Sequence, residues 1–229
     1  MMPSVFESRI GIRCLTLLFL MPGPAFARHP DFTGVWQATP KSAPLLPTSG
    51  PIPFDDRGAA LYNAIQARTK VGDRSWDTLN QCIPPGTPRA MAQPYPFEII
   101  QEPTRVSLLF QLQRLDRSIS LTGHSNMSSD PTFMGDSLGH WEGNTLVIES
   151  ANFKTTPDTF LNDSGAPHSD QLKVTERWSS VNPDTLKDEI KIEDPKFLTR
   201  PWHTVLVLRR LKHVAIAEDV CVDRVRAKH

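Results

Sequence analysis

The chain has 229 residues, with 25 Lys+Arg against 25 Asp+Glu. A neutral, sign-mixed chain carries no electrostatic footprint for DNA, RNA or an anionic membrane, so no nucleic-acid partner is expected. The length suits one sizeable core, and no linker, internal repeat or low-complexity tract divides the chain.

The first residues read as a secretory signal peptide. Arg9 and Arg13 precede the apolar run Cys14 to Met21, and Pro22-Gly23-Pro24 then leads to Ala25-Phe26-Ala27. The run is too short to span a bilayer, and nothing later is long and apolar enough, so no stable membrane insertion is expected. Residues 1–27 are expected to be removed, leaving 28–229 as a single β-barrel domain, periplasmic or secreted. Losing Arg9, Arg13 and Glu7 leaves 23 basic against 24 acidic residues.

Gly34-Val35-Trp36 opens a first strand. Pro40, Pro44, Pro47, Pro51 and Pro53 exclude regular structure over residues 40–53. Asp55-Asp56, then Ala59, Ala60, Leu61, Ala64, Ile65 and Ala67 at helical spacing, predict one helix near 55–69. Beyond Pro96 the pattern is antiparallel sheet: 97–101, 106–112, a strand around Ile119 and Leu121, 145–150, 172–179, 186–192, 203–210 and 214–222. Eight or nine strands with short connections predict a mainly β meander closed into a barrel or sandwich, and an eight-stranded barrel encloses about one small ligand. Two cysteines follow the leader, Cys82 and Cys221. In an exported chain an isolated pair predicts a disulfide to the last strand, with two free thiols as the alternative.

The chemistry is concentrated in one hairpin. Leu172, Val174, Glu176 and Trp178 share a face, as do Leu186, Asp188, Ile190 and Ile192. A carboxylate among core residues is paired, protonated or working. A five-residue connection through Asn182-Pro183-Asp184-Thr185 places Glu176 opposite Ile190 and diagonal to Asp188, about 7–8 Å away; a three-residue one separates the acids further. In an apolar cavity one carboxyl stays protonated as a general acid while the other acts as base or stabilises positive charge. The structural alternative is an internal salt bridge, for instance Glu176 to Arg209.

His168, just before the acidic strand, is expected at the barrel mouth as a proton shuttle or as a loop histidine bonded to backbone. Tyr95 offers a buried hydroxyl to polarise a substrate oxygen, or is simply a core aromatic. Asp130 and Asp136 read as turn residues. His140 and Glu142 share a strand face, with His124 or His168 as further candidate ligands, but no recognised metal spacing is present and no metal is expected. Without a Gly-x-Ser-x-Gly elbow, a phosphate loop or a dinucleotide fingerprint, serine-hydrolase and nucleotide chemistry are not expected, nor is any cofactor.

Gly34-Val35-Trp36 followed by antiparallel strands resembles the lipocalin and calycin superfamily. That resemblance implies an arginine of the last strands, Arg209 or Arg210, packed across Trp36. The superfamily's Thr-Asp-Tyr motif is missing. A wider resemblance is to a family of small exported, mostly uncharacterised bacterial proteins. It is carried by Cys82-Ile-Pro-Pro-Gly86, Pro94-Tyr-Pro-Phe-Glu98, the stretch from Met134 to Leu146, Pro167-His-Ser169, Glu176-Arg177, Asp194-Pro195 and Arg200-Pro-Trp202. The chain departs from that pattern at Asp188 and around His124 to Met127. It also resembles bacterial α-pinene oxide lyases, which implies a small hydrophobic oxygenated substrate. These readings converge on an exported cofactor-free lyase or isomerase with Glu176, Asp188, His168 and Tyr95 at its site. The rivals are a non-catalytic lipocalin-like carrier and an envelope protein acting through its surface.

Overall fold

The structure is a computed structural model and describes residues 29–124 and 130–226. The expected signal peptide lies outside them. Nine strands close into one barrel in chain order: β1 (Gly34–Ala38), β2 (Phe97–Gln101), β3 (Arg105–Phe110), β4 (Asp116–Ser120), β5 (Asp136–Glu142), β6 (Thr145–Ala151), β7 (Lys173–Asn182), β8 (Thr185–Glu193) and β9 (Trp202–Leu211). The mainly β, lipocalin-like barrel is therefore present. Inward residues alternate with outward ones on each strand, so one face of the sheet supplies the core. One seam departs from the antiparallel expectation: β4 and β5 pair in parallel, and only through Ile119↔Ser137 and Ser120↔Leu138.

The predicted helix is α1 (Asp56–Lys70). Asp55 caps it by accepting from the Gly58 amide at 2.8 Å, and Arg68 and Lys70 complement the dipole at its end. Loop residues Leu45, Met91, Leu161 and Ala166 pack into the same core as the strands. Near β1, the Arg210 guanidinium lies 4.3 Å over the Trp36 ring and donates to the Thr33 carbonyl. Of the two arginines expected there, Arg210 takes the place. Arg209 bonds to the Thr185 hydroxyl instead.

Two elements differ from the sequence reading. Residues 136–142 form β5, whereas Asp136 was expected in a turn and only His140 and Glu142 were placed on a strand. The alternating stretch 214–222 is not a strand. β9 already pairs with β8 on one side and β1 on the other, so the closed barrel offers no edge to extend. The chain instead runs irregularly into the short helix α2 (Cys221–Arg226). The expected disulfide joins Cys82 to Cys221, so it fastens this tail rather than a last strand.

Candidate functional site

The β7–β8 hairpin sets the register that the two acids need. Glu176 lies opposite Ile190 and Trp178 opposite Asp188, which makes Glu176 and Asp188 diagonal neighbours on the inner face. The last regular pair is Ser180↔Leu186, so five residues, Val181 to Thr185, make the connection. They comprise an irregularity at Val181 and a tight turn at Pro183-Asp184, and Val181 is left exposed. Without that extra residue one of the two acidic faces would point to solvent.

The carboxyls then meet different fates, although both are completely buried. Glu176 is ion-paired, and its partner is Arg117 of β4 rather than Arg209. Arg117 is itself buried and reaches across the barrel. Nη1 donates to Glu176 Oε1 at 3.0 Å and Nη2 donates to Glu176 Oε2. Nη2 also donates to Ser150 Oγ at 2.8 Å, and Nε to Ser137 Oγ at 3.2 Å. The two serines are 2.8 Å apart, and Met91 Sδ lies 3.5 Å from Nη1. This bidentate, fully donated arrangement is what allows a guanidinium to be buried.

Asp188 has no such arrangement. Neither Oδ1 nor Oδ2 makes a well-aligned hydrogen bond among the described residues; the nearest polar groups are the indole of Trp178, its cross-strand neighbour, and the Glu176 carboxyl. Burial pushes the Asp188 carboxyl well above its ordinary value, and the negative charge of Glu176 adds to the shift. The Arg117 charge and the Trp178 indole pull it down by less. Its surroundings therefore favour the protonated form of Asp188, beside the Arg117–Glu176 ion pair in an otherwise apolar interior.

Of the other candidates, His168 is 3% exposed rather than at an open mouth. Its Nε2 lies 2.7 Å from Thr159 Oγ1 and its Nδ1 3.3 Å from the Ser169 carbonyl; burial lowers its pKa to about 4, so it is neutral. Tyr95 is partly exposed under the Arg224 guanidinium, 5.2 Å from its ring, so it is not the buried hydroxyl expected. Among the described residues neither bonds to the Glu176–Asp188 pair. His140 and Glu142 form an exposed pair at 3.3 Å, while His124 bonds to the Thr122 carbonyl. Among the described residues no three His, Cys, Asp or Glu side chains gather as metal ligands. Asp136 begins β5 and accepts from Asn152 at 2.7 Å.

A crevice of 470 Å³ opens where β4 and β5 diverge. Pro84, Leu115, Phe133 and Met134 give it apolar wall, while Asp116, Ser118, Thr132 and Asp136 give it polar wall. Arg117 and Ser137 also line it, and these are the residues that stand between the crevice and Glu176.

No family model and no curated protein matches the chain. Among solved structures it is similar to the fluorescent protein UnaG, wild type, at 14% identity over 79% of this chain and 97% of that one, with a TM-score of 0.35. It is also similar to the REP1-NXSQ fatty acid transporter, at 10% identity over 80% and 97% of the two chains, with a TM-score of 0.36. The class of this molecule is accordingly read from its own strand order and closure: a nine-stranded barrel with a buried ionic site.

Proposed function

We propose that the barrel binds a small, mostly apolar molecule bearing one reactive oxygen, and that Asp188 acts on that oxygen as a general acid. The observation that carries this is Asp188 itself, a completely buried carboxyl with which no cation among the described residues pairs directly and whose oxygens make no well-aligned hydrogen bond. A buried polar group so weakly bonded costs about 1–3 kcal/mol of desolvation, which a ligand oxygen meeting it would offset. A neutral acid both donates and accepts, which suits an ether, epoxide or carbonyl oxygen.

The reaction that fits is a cofactor-free isomerisation or elimination. With a strained epoxide, the Asp188 proton passes to the oxygen as a carbon–oxygen bond breaks. The developing positive charge lies near the Glu176 carboxylate. The Asp188 carboxylate then recovers a proton from a neighbouring carbon, so the product is an isomer of the substrate and the acid is restored. The lyase resemblance favours this substrate class. Export belongs to the same reading, supported by the leader-like residues 1–27 and by the Cys82–Cys221 disulfide.

The test is incubation of purified protein with apolar epoxides, α-pinene oxide among them, with products followed by gas chromatography. Turnover is expected, and Asp188→Asn is expected to lower it by about 10²–10⁴-fold. Full activity in both Asp188→Asn and Glu176→Gln would overturn the mechanism. Tight binding without turnover would replace it with the carrier, which needs the barrel and the buried acid but no proton transfer.

A further inference from the structure

Glu176 and Asp188 have no exposed surface, so a ligand that meets them has to part the barrel wall. The geometry points to the β4–β5 seam as that way in, with the crevice above it holding a small, mostly apolar molecule and Arg117 acting as the latch. This rests on the ligand-binding reading above and adds where and how the ligand arrives.

Three observations converge on this seam. It is the weakest join in the barrel wall: β4 and β5 share two residue pairs, whereas β7 and β8 share nine and even β1 and β2 share three. Hydrogen bonds contribute about 0.5–1.5 kcal/mol each, so parting two pairs costs far less than parting any neighbouring seam. Second, the crevice sits at this seam, and its 470 Å³ falls in the range of small-molecule sites, about 300–1,000 Å³. Its wall mixes Pro84, Leu115, Phe133 and Met134 with hydroxyls of Ser118 and Thr132, which suits a mostly apolar molecule carrying one oxygen.

Third, one side chain spans the seam from within. Arg117 leaves β4 and bonds to Ser137 on β5, Ser150 on β6 and Glu176 on β7. The link to Ser137 is the longest of its oxygen contacts, at 3.2 Å. All of these bonds run from β4 to strands on the far side of the seam, so Arg117 fastens it from within, and parting the strands requires the guanidinium to swing away from them. At Gly139 of β5 a β-carbon would lie 2.8 Å from Leu121 and 2.9 Å from Ile119, so β4 and β5 approach closely where they do pair.

Two measurements test this independently. Amide hydrogen exchange on the intact protein reads the seam without any ligand. Amides of residues 119, 120, 137 and 138 are expected to exchange at least tenfold faster than inner-strand amides of β7 and β8. Equal protection would overturn the seam as the way in, whatever the protein binds. The second reads uptake of α-pinene oxide by stopped-flow tryptophan fluorescence after Ser118→Cys is labelled with a bulky maleimide at the crevice. Uptake is expected to slow at least tenfold, while the same label on Val205→Cys, on the outer face of β9, leaves it unchanged. An unchanged rate with the Ser118 label would also overturn the inference. Absence of uptake by the unlabelled wild type would instead refute the ligand-binding reading.

Discussion

Arg89 and Arg117 are both almost fully buried, yet they do different things to their surroundings. Arg89 donates to both oxygens of Asp77, at 3.0 and 2.9 Å, and to Asp163 at 2.7 Å; Gln93 also donates to Asp163. Its carboxylates keep some water, with 16% of the Asp77 side chain and 40% of the Asp163 side chain exposed. The cluster is complete, and it fastens the turn that carries Met91 into the core. Arg117 has one carboxylate, Glu176, and both partners are fully buried. A second acid beside them, Asp188, makes no well-aligned hydrogen bond and has no cation of its own among the described residues. A fully bonded buried charge holds loops in place, whereas a weakly bonded buried acid beside an ion pair is open to perturbation by its surroundings.

That contrast is open to breakage by mutation. Arg117→Met leaves Glu176 buried without its counter-charge and is expected to cost about 3–5 kcal/mol in denaturant unfolding. Adding Glu176→Gln to the same chain is expected to recover part of that loss. Arg89→Met strands carboxylates that still reach water, so its expected cost is smaller, about 1–2 kcal/mol. If Arg89→Met cost as much as Arg117→Met, the two clusters would not differ in kind.

Asp188 adds a pH dependence of defined sign. Its carboxyl binds a proton more tightly folded than unfolded, so it costs nothing below the unfolded value near 4 and increasingly destabilises the fold as pH rises above that. The slope is at most about 1.4 kcal/mol per pH unit and ends at the folded pKa. Asp188→Asn is expected to match the wild type at pH 3 and to exceed its stability increasingly toward pH 7. A difference independent of pH would mean that Asp188 is not held protonated. Glu176→Gln removes the neighbouring charge that raises Asp188, and is expected to narrow the pH range over which the fold loses stability.

Much of this was legible in the residues. Alternation on the 172–179 and 186–192 stretches points both acids to the apolar faces, but the sequence leaves a five- or a three-residue connection open, and the structure takes the five-residue one that makes them diagonal. The partner of Glu176 was harder to see. Leu115, Arg117, Ile119 and Leu121 alternate in the sequence, which puts Arg117 on the inner face, but the charged pair Asp116-Arg117 interrupts the apolar pattern, so the strand is legible only around Ile119 and Leu121. Which strand faces which across a barrel is a matter of closure and tilt, so a salt bridge from β4 to β7 is invisible to spacing. The 136–142 strand escaped for a local reason, since Gly135 and Gly139 weaken its pattern. The 214–222 stretch misled for the opposite one: its alternation is genuine, but a closed barrel has no place for a tenth strand.

The central claim is that Asp188 is a neutral, uncommitted acid inside the barrel. Infrared difference spectroscopy of wild type against Asp188→Asn at pH 7 tests it directly. The account predicts a protonated-carboxyl C=O band that the variant lacks, and a shift of that band when an apolar epoxide is added. A carboxylate band in its place would show an ionised Asp188, and would contradict both the reading of the site and the chemistry built on it.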